Sequence, residues 1–375
     1  MDRIYLDYNA TTPLAPEVVA AMQPCLDEDF GNPFSHHWAG QRTRVAVERA
    51  RYQVAELLRC DPTEVVFTSG GTEANNSALA GVFFSRHGKS VPHFIISSIE
   101  HPSVGKTCDF LERLGAEVTR LAVNRHGMVD PADVHRAITS ETVLVSVMHA
   151  NNEVGTLQPI REIAGIAREH NVLMHSDAAQ SVGKVPVEIT DLGVDLLTVA
   201  GHKMYAPQGV GALFIRRGVD LEPFLHGADH ERGRRAGTEN VLEIVGLGAA
   251  CQLAQRWVRD DSTRKLRDQF WQLLQATFGD RVVLNGHPEQ RLPNTLNVSF
   301  PGQLGHEILS RLPNIAASTG SACHAGEYGL SPVLKAMQID ETAGLGAIRF
   351  SVGRNSTAAE VEATVAQLAN LLAQF

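Results

Sequence analysis

Val66-Phe67-Thr68-Ser69-Gly70-Gly71-Thr72-Glu73-Ala74-Asn75 runs from an apolar stretch into a Gly-Gly turn and leaves it with helical spacing over 72–84. The passage predicts a strand, a tight turn and a helix whose first free N–H groups converge with the Thr72 hydroxyl on one spot. That arrangement suits a phosphate. An ordinary glycine turn with a threonine cap fits the same ten residues equally well. The stretch is not a GxxxxGK[ST] loop and lacks GxGxxG spacing. The nearest approach to that spacing, Gly246-Leu247-Gly248-Ala249-Ala250-Cys251, lies in a helical context and ends on cysteine.

Outward from this unit, apolar runs recur at 65–68, 94–97, 143–148, 172–175, 196–199 and 211–215, with helical spacing between them at 72–84, 103–114 and 160–170. Such alternation predicts an α/β fold with a mostly parallel sheet. Polar residues collect just past the runs: Ser69 to Thr72, Glu100-His101, Asn151-Asn152-Glu153, Asp177 and His202-Lys203. Ligands of open α/β sheets bind beyond the carboxyl ends of the strands, so these clusters predict one shared site. After Gly248 the texture changes to a charged helical stretch over 249–278, then a β-like segment over 295–300, then helix and strand again. The expected division is a large α/β domain over 14–256 and a small α+β domain from 1–13 plus 257–375. No repeat, low-complexity segment or Pro/Gly/Ser-rich linker separates them.

Composition removes several classes of function. Of 375 residues, 33 are Lys or Arg and 42 are Asp or Glu, a formal charge of −9 that argues against nucleic acid or an anionic membrane as the main partner. Any anionic ligand must be captured locally. Cysteines stand at 25, 60, 108, 251 and 323 without a CxxC pair, which indicates neither structural zinc nor a disulfide framework. Free thiols point to a reducing compartment. The opening Met1-Asp2-Arg3-Ile4-Tyr5-Leu6-Asp7 carries acids where a signal peptide needs an apolar stretch. No uncharged apolar run reaches the ~18 residues of a membrane span. The expected address is the cytoplasm.

Asp177 ends one apolar run and Lys203 follows another. Each alone has an ordinary fate, a helix N-cap for the acid and a solvated amine for the lysine. Together with a phosphate cradle about 100 residues upstream they match what pyridoxal phosphate requires. A carboxylate keeps the pyridine nitrogen protonated so that the ring accepts electrons, and a lysine amine forms the Schiff base.

The chain resembles the cysteine desulfurases of the NifS/IscS type, class V members of the fold-type I pyridoxal phosphate enzymes. The resemblance is carried by Tyr5-Leu6-Asp7-Tyr8-Asn9-Ala10-Thr11-Thr12, Gly31-Asn32-Pro33, Thr68 to Glu73, Glu100-His101-Pro102, Asn151-Asn152-Glu153 and Asp177-Ala178-Ala179-Gln180. It continues through Gly201-His202-Lys203, Glu231 to Asn240, Leu292-Pro293-Asn294-Thr295, Gly320-Ser321-Ala322-Cys323 and Ile348-Arg349-Phe350-Ser351, in the family's order from residue 5 to residue 354. It implies a large domain built on a seven-stranded sheet. It also implies that His101 stacks on the pyridine ring, Asn152 contacts its hydroxyl side, Asp177 pairs with the ring nitrogen, Gln180 bonds the ring oxygen and Lys203 carries the cofactor. Gly71, Thr72 and His202 would hold the phosphate, with Thr238 arriving from the neighbouring subunit of a homodimer. Arg349 would bind the substrate carboxylate through its planar fork. Cys323 would be the nucleophile that takes sulfur from L-cysteine as a persulfide, for delivery to an acceptor protein in iron–sulfur cluster or other sulfur-cofactor assembly. Buried structural thiols are the expected fate of the other four cysteines. A hydrolytic dyad of Cys323 with His324 competes weakly, because it leaves Lys203 without a role.

The chain departs from the pattern in three places. Ala200 stands where these enzymes usually have a serine that bonds the phosphate, His324-Ala325 follows the cysteine in place of the common Thr-Ser, and the stretch from Cys323 to Pro332 is slightly long. These features resemble the selenocysteine lyases of animals, so L-selenocysteine is the alternative substrate.

Overall fold

The computed structural model describes residues 3–86, 91–319 and 329–373. Its strands are β1 (Ile4–Tyr5), β2 (Val65–Thr68), β3 (His93–Ser97), β4 (Glu117–Leu121), β5 (Thr142–Ser146), β6 (Leu173–Asp177), β7 (Leu196–Ala200), β8 (Gly211–Ile215), β9 (Val283–Asn285), β10 (Thr295–Ser299), β11 (Ile315–Ala316) and β12 (Ala347–Ser351). Among the described residues seven of these form one sheet in the order β2-β8-β7-β6-β5-β3-β4. β8 runs against both of its neighbours and the remaining pairs are parallel. The reversal has a simple cause. Residues 201–210 are too few for the helical crossover that a parallel return from β7 would need.

The central strands read as continuous apolar runs because helices cover both faces of the sheet. On one side the cluster around Phe67, Val145, Met174, Leu197 and Phe214 packs beneath Leu247 and Cys251; on the other, Phe94, Leu144, Leu196 and Leu213 meet Leu79, Phe83 and Leu111. A separate core unites Phe270, Leu274, Phe278, Val298, Phe300, Ile348, Phe350 and Leu368 with Ile4 and Leu6. It lies on the antiparallel sheet β9-β10-β12. The first residues of the chain thus pack with its last third. Tyr8 continues this link, its ring filling the space against Gly353.

The helical stretch expected over 249–278 is two helices, Val241–Trp257 and Ser262–Phe278. The Asp260 carboxylate accepts from the Ser262 N–H at 2.9 Å and turns the chain between them, an Asx-type bond that competes with helix continuation.

Candidate active site

The polar clusters past β2, β3, β5, β6 and β7 each place at least one residue on one cavity of about 280 Å³. Gly71, Thr72, His101, Asn152, Asp177, Gln180, His202, Lys203 and Arg349 all line it, together with Asn9, Asn75 and Ser103.

The helix Gly71–Arg86 begins directly at the cavity. A Cβ on Gly71 would stand 3.3 Å from that of Ala200, so a small residue at each position lets the helix N-terminus approach the end of β7. One turn further along, Asn75 donates from Nδ2 to Asp177 Oδ2 at 2.7 Å and to Ser103 Oγ at 2.8 Å. Ser103 Oγ meets His101 Nδ1 at 2.7 Å, and that nitrogen also accepts from the Ser103 N–H at 3.2 Å. This chain Asp177–Asn75–Ser103–His101 fixes both the acid and the imidazole. Because Nδ1 accepts, the hydrogen-bond pattern assigns the ring proton to Nε2. Burial lowers the His101 pKa; the Asp177 charge opposes this and Lys203 adds to it. A neutral ring results, suited to lie against an aromatic cofactor.

Asp177 is the last residue of β6, buried, with Oδ1 accepting from the Ala179 N–H at 2.9 Å. Lys203 follows β7 and donates from Nζ to the carbonyls of Asn9 at 2.8 Å and Ala10 at 2.6 Å. Burial, then the Arg349 charge, lower its pKa to about 8, against the pull of Asp7 and Asp177. His202 shares its Nδ1 with Thr11 Oγ1 at 3.2 Å and is lowered to about 4, chiefly by burial and then by Lys203, Lys184 and His101. At neutral pH it offers an N–H and no charge. Arg349, on β12, reaches the rim of the cavity. Its Nη2 pairs with Asp7 Oδ1 at 2.7 Å and its Nη1 donates to the Asn152 carbonyl at 2.9 Å, while its buried Nε has no partner among the described residues.

Two expected participants are not in this cavity. Thr238 is exposed on the loop before the helix Val241–Trp257 and does not line it. Cys323 lies outside the described residues. Of the other thiols, burial pushes Cys60 and Cys108 to about 12 and raises Cys25 and Cys251, which leaves none of the four a ready nucleophile. Conversely, Asn75, Ser103 and Asn9 line the site although the sequence assigned none of them a role, Asn9 standing only within the Tyr5 to Thr12 stretch. Asn75 alone left a trace, a poor helix former three residues after Thr72 on the same helical face.

Residues 4–364 match the family model described as aminotransferase class-V. The chain belongs to the class-V aminotransferase family. Among curated relatives, this class-V chain is 45% identical to the cysteine desulfurase IscS of Dictyoglomus turgidum over 98% of its own length and 94% of the relative's. It is also 45% identical to the cysteine desulfurase IscS of Methanosarcina thermophila, covering 96% of this chain and 89% of that one. Among solved structures, a NifS-like protein superposes with a TM-score of 0.92 at 34% identity, with all of both chains covered. SspA in complex with cysteine gives 0.84 at 35% identity, over 93% of this chain and 98% of that one.

Class-V enzymes use pyridoxal phosphate, and the residues present fit it. A buried carboxylate at a strand end suits the pyridinium nitrogen, a helix N-terminus beside Gly71 suits the phosphate, and an amine held near pH 8 suits a carbonyl. Ala200 offers no hydroxyl to a phosphate there, and Thr72 and His202, which line the same cavity, with the helix N-terminus are the groups that would hold it.

Proposed function

We propose that this class-V enzyme is an L-cysteine desulfurase that releases L-alanine and leaves the sulfur on Cys323 as a persulfide. The observation that carries the reading is the meeting of the Lys203 amine, the Asp177 carboxylate and the Arg349 guanidinium in one cavity. Relatives named cysteine desulfurase and a superposable structure in complex with cysteine support the substrate.

Arg349, which lines the cavity, orients the substrate carboxylate through its planar guanidinium. The neutral imidazole of His101 covers the site without placing a second cation beside Lys203. When bound, pyridoxal phosphate withdraws electrons from the substrate's α-carbon. Lys203 Nζ accepts the α-proton and returns a proton during alanine formation, a role for which an amine near pH 8 is matched. Cys323 Sγ, as thiolate, attacks the substrate sulfur. The new S–S bond forms as the substrate Cβ–S bond breaks, and the departing electron pair with one proton makes the methyl group of alanine. Sulfur is oxidised and Cβ is reduced, so no outside oxidant enters.

The persulfide then passes to an acceptor protein for iron–sulfur cluster or other sulfur-cofactor assembly. The acting unit is a homodimer in which Thr238 reaches the phosphate of the neighbouring chain. In its favour are the exposure of Thr238 and of the large apolar residues Phe30, Phe34, Trp38 and Val45. A reducing compartment such as the cytoplasm suits a free nucleophilic thiol.

The test is alanine formation from L-cysteine with persulfide mapping by mass spectrometry. Cys323→Ser should keep the cofactor's visible absorbance and lose the persulfide; alanine at the parent rate from that variant would sink the persulfide step. Parallel rates on L-selenocysteine decide the alternative suggested by Ala200 and His324, since a strong preference for selenium makes the enzyme a selenocysteine lyase.

A further inference from the structure

A second lysine stands behind the first. Lys184 follows Gln180 by one turn, its stem bordering a smaller cavity shared with Tyr205, Trp257, Asp260 and Arg354. Its Nζ donates to Gln180 Oε1 at 2.9 Å and to Asn9 Oδ1 at 3.0 Å, and no ion pair to a carboxylate is formed among the described residues. Burial, with the charges of Lys203 and Arg349, holds this amine well below the ordinary lysine range. Two side-chain carbonyl oxygens receive its N–H groups.

The geometry determines what Gln180 shows to the active-site cavity. A carboxamide has nearly the same shape when flipped, so its neighbours decide which end is oxygen. The Asn9 carbonyl can only accept, so Nε2 must face it, and Oε1 is left to receive the Lys184 Nζ hydrogen. At the other end, Nε2 donates to the Asn9 carbonyl at 3.0 Å, the same oxygen that receives Lys203 Nζ at 2.8 Å. The second Nε2 hydrogen is then the group that Gln180 has left for the cavity it lines. Asn9 in turn is held firmly. Its Nδ2 donates to Thr295 Oγ1 at 2.8 Å and to the Asn152 carbonyl at 3.2 Å, and its Oδ1 also accepts from Asn294 at 2.9 Å.

We propose that Lys184 is a positioning residue that fixes the Gln180 carboxamide with its N–H edge toward the cavity, so that Gln180 donates to the ring oxygen of pyridoxal phosphate. This rests on the reading of the cavity as the cofactor site. Lys184 touches neither cofactor nor substrate and acts through Gln180. Without Lys184, Oε1 loses its donor and the carboxamide is held only through the Asn9 carbonyl, so its N–H edge is less firmly aimed at the cavity.

The experiment is a double-mutant cycle read by cofactor binding. Lys184→Met keeps an unbranched stem and removes the donor; Gln180→Leu removes the carboxamide. Cofactor-free protein is titrated with pyridoxal phosphate, and the visible absorbance of the loaded protein is followed against pH. Each single variant should bind the cofactor about three- to tenfold more weakly, the scale of one hydrogen bond, and shift the absorbance midpoint upward because the ring oxygen loses a donor. The double variant should match Gln180→Leu, since Lys184 has no other route to the ring, and Lys184→Arg, which retains donors, should return the midpoint toward the parent. Effects that multiply in the double variant, or a Lys184→Met protein identical to the parent, overturn the proposal. A Gln180→Leu protein identical to the parent overturns the assignment of Gln180 to the cofactor instead, which keeps the two failures apart. Should Lys184→Met fail to fold, Lys184→Gln, one bond too short to reach Oε1, is read in its place.

Discussion

The Lys203 amine sets a measurable pH dependence. Its folded pKa of about 8 means that the nucleophilic neutral form is scarce below that pH and dominant above it. Capture of pyridoxal phosphate by the cofactor-free protein should therefore accelerate with pH and level off above a midpoint near 8, as followed by stopped-flow absorbance. Arg349→Gln removes a cation that lowers this pKa and frees Asp7, which raises it, so the midpoint should move up. Glu100, beside His101, makes the opposite kind of case. It accepts from Ser97 Oγ at 2.5 Å and the Met148 N–H at 2.9 Å, yet burial lifts its pKa from 4.5 to about 8. The folded protein then binds a proton that the unfolded chain has released. That contribution to stability is complete below pH 4.5 and is lost as pH rises toward 8, at a slope of at most about 1.4 kcal/mol per pH unit. Glu100→Gln should flatten this slope in urea unfolding measured across that range. At this scale the sequence named the charged and ring-bearing members of the site, because acids, histidines and lysines at strand ends carry their chemistry in their type. The roles of Asn9 and Asn75 stayed hidden, since a neutral amide gains a role only from the groups that surround it.

Elements were legible wherever burial made them apolar. β3, β5, β6, β7 and β8 are covered on both faces and announce themselves as hydrophobic runs. β4, Glu-Val-Thr-Arg-Leu at the sheet edge, carries charges and is largely unburied, so no run marks it. The segment that bears Thr238 was legible only as a motif, and the structure shows what holds it. Glu231 and Arg232 both have left-handed backbone, at φ 49 and φ 59, a conformation costly for side chains of this kind. Against that cost, Glu231 forms a buried two-bond pair with Arg51 at 2.7 and 2.8 Å and accepts the Phe67 N–H of β2 at 3.0 Å. Arg235 adds a bond from Nε to Glu73 Oε1 at 2.9 Å, tying the same segment to the first turn of the cradle helix. Glu231→Ala leaves the buried Arg51 with only the half-exposed Glu48 as ionic partner and should cost up to about 3 kcal/mol in chemical denaturation. The paired replacement Arg51→Met with Glu231→Leu should cost clearly less, because no charge is left buried; equal costs would show that the loop backbone, and not the ion pair, is the seat of the effect.

At the scale of the whole molecule, one chain closes most of a site and leaves Thr238 facing outward. Periodicity reports which face of an element is buried, but not whether a neighbouring fold or a second chain buries it. The exposed aromatic residues Phe30, Phe34 and Trp38 could thus be found only once the chain's own packing was known. If two chains share each site, inactive variants must complement one another. Lys203→Ala destroys the site of the chain that bears it, whereas Thr238→Glu places a carboxylate against the phosphate of the partner's site. In a mixed dimer the first chain therefore donates an intact Thr238 to the second chain's intact Lys203, and one functional site is restored. Random exchange in an equal mixture makes about half of the dimers mixed, each with one of its two sites working, so about a quarter of the parent's alanine formation should return. Each variant alone should remain near zero, and the recovery should grow with the time allowed for subunit exchange. A mixture that stays inactive, while light scattering and tagged-subunit capture confirm mixed dimers, would place Thr238 in the service of its own chain.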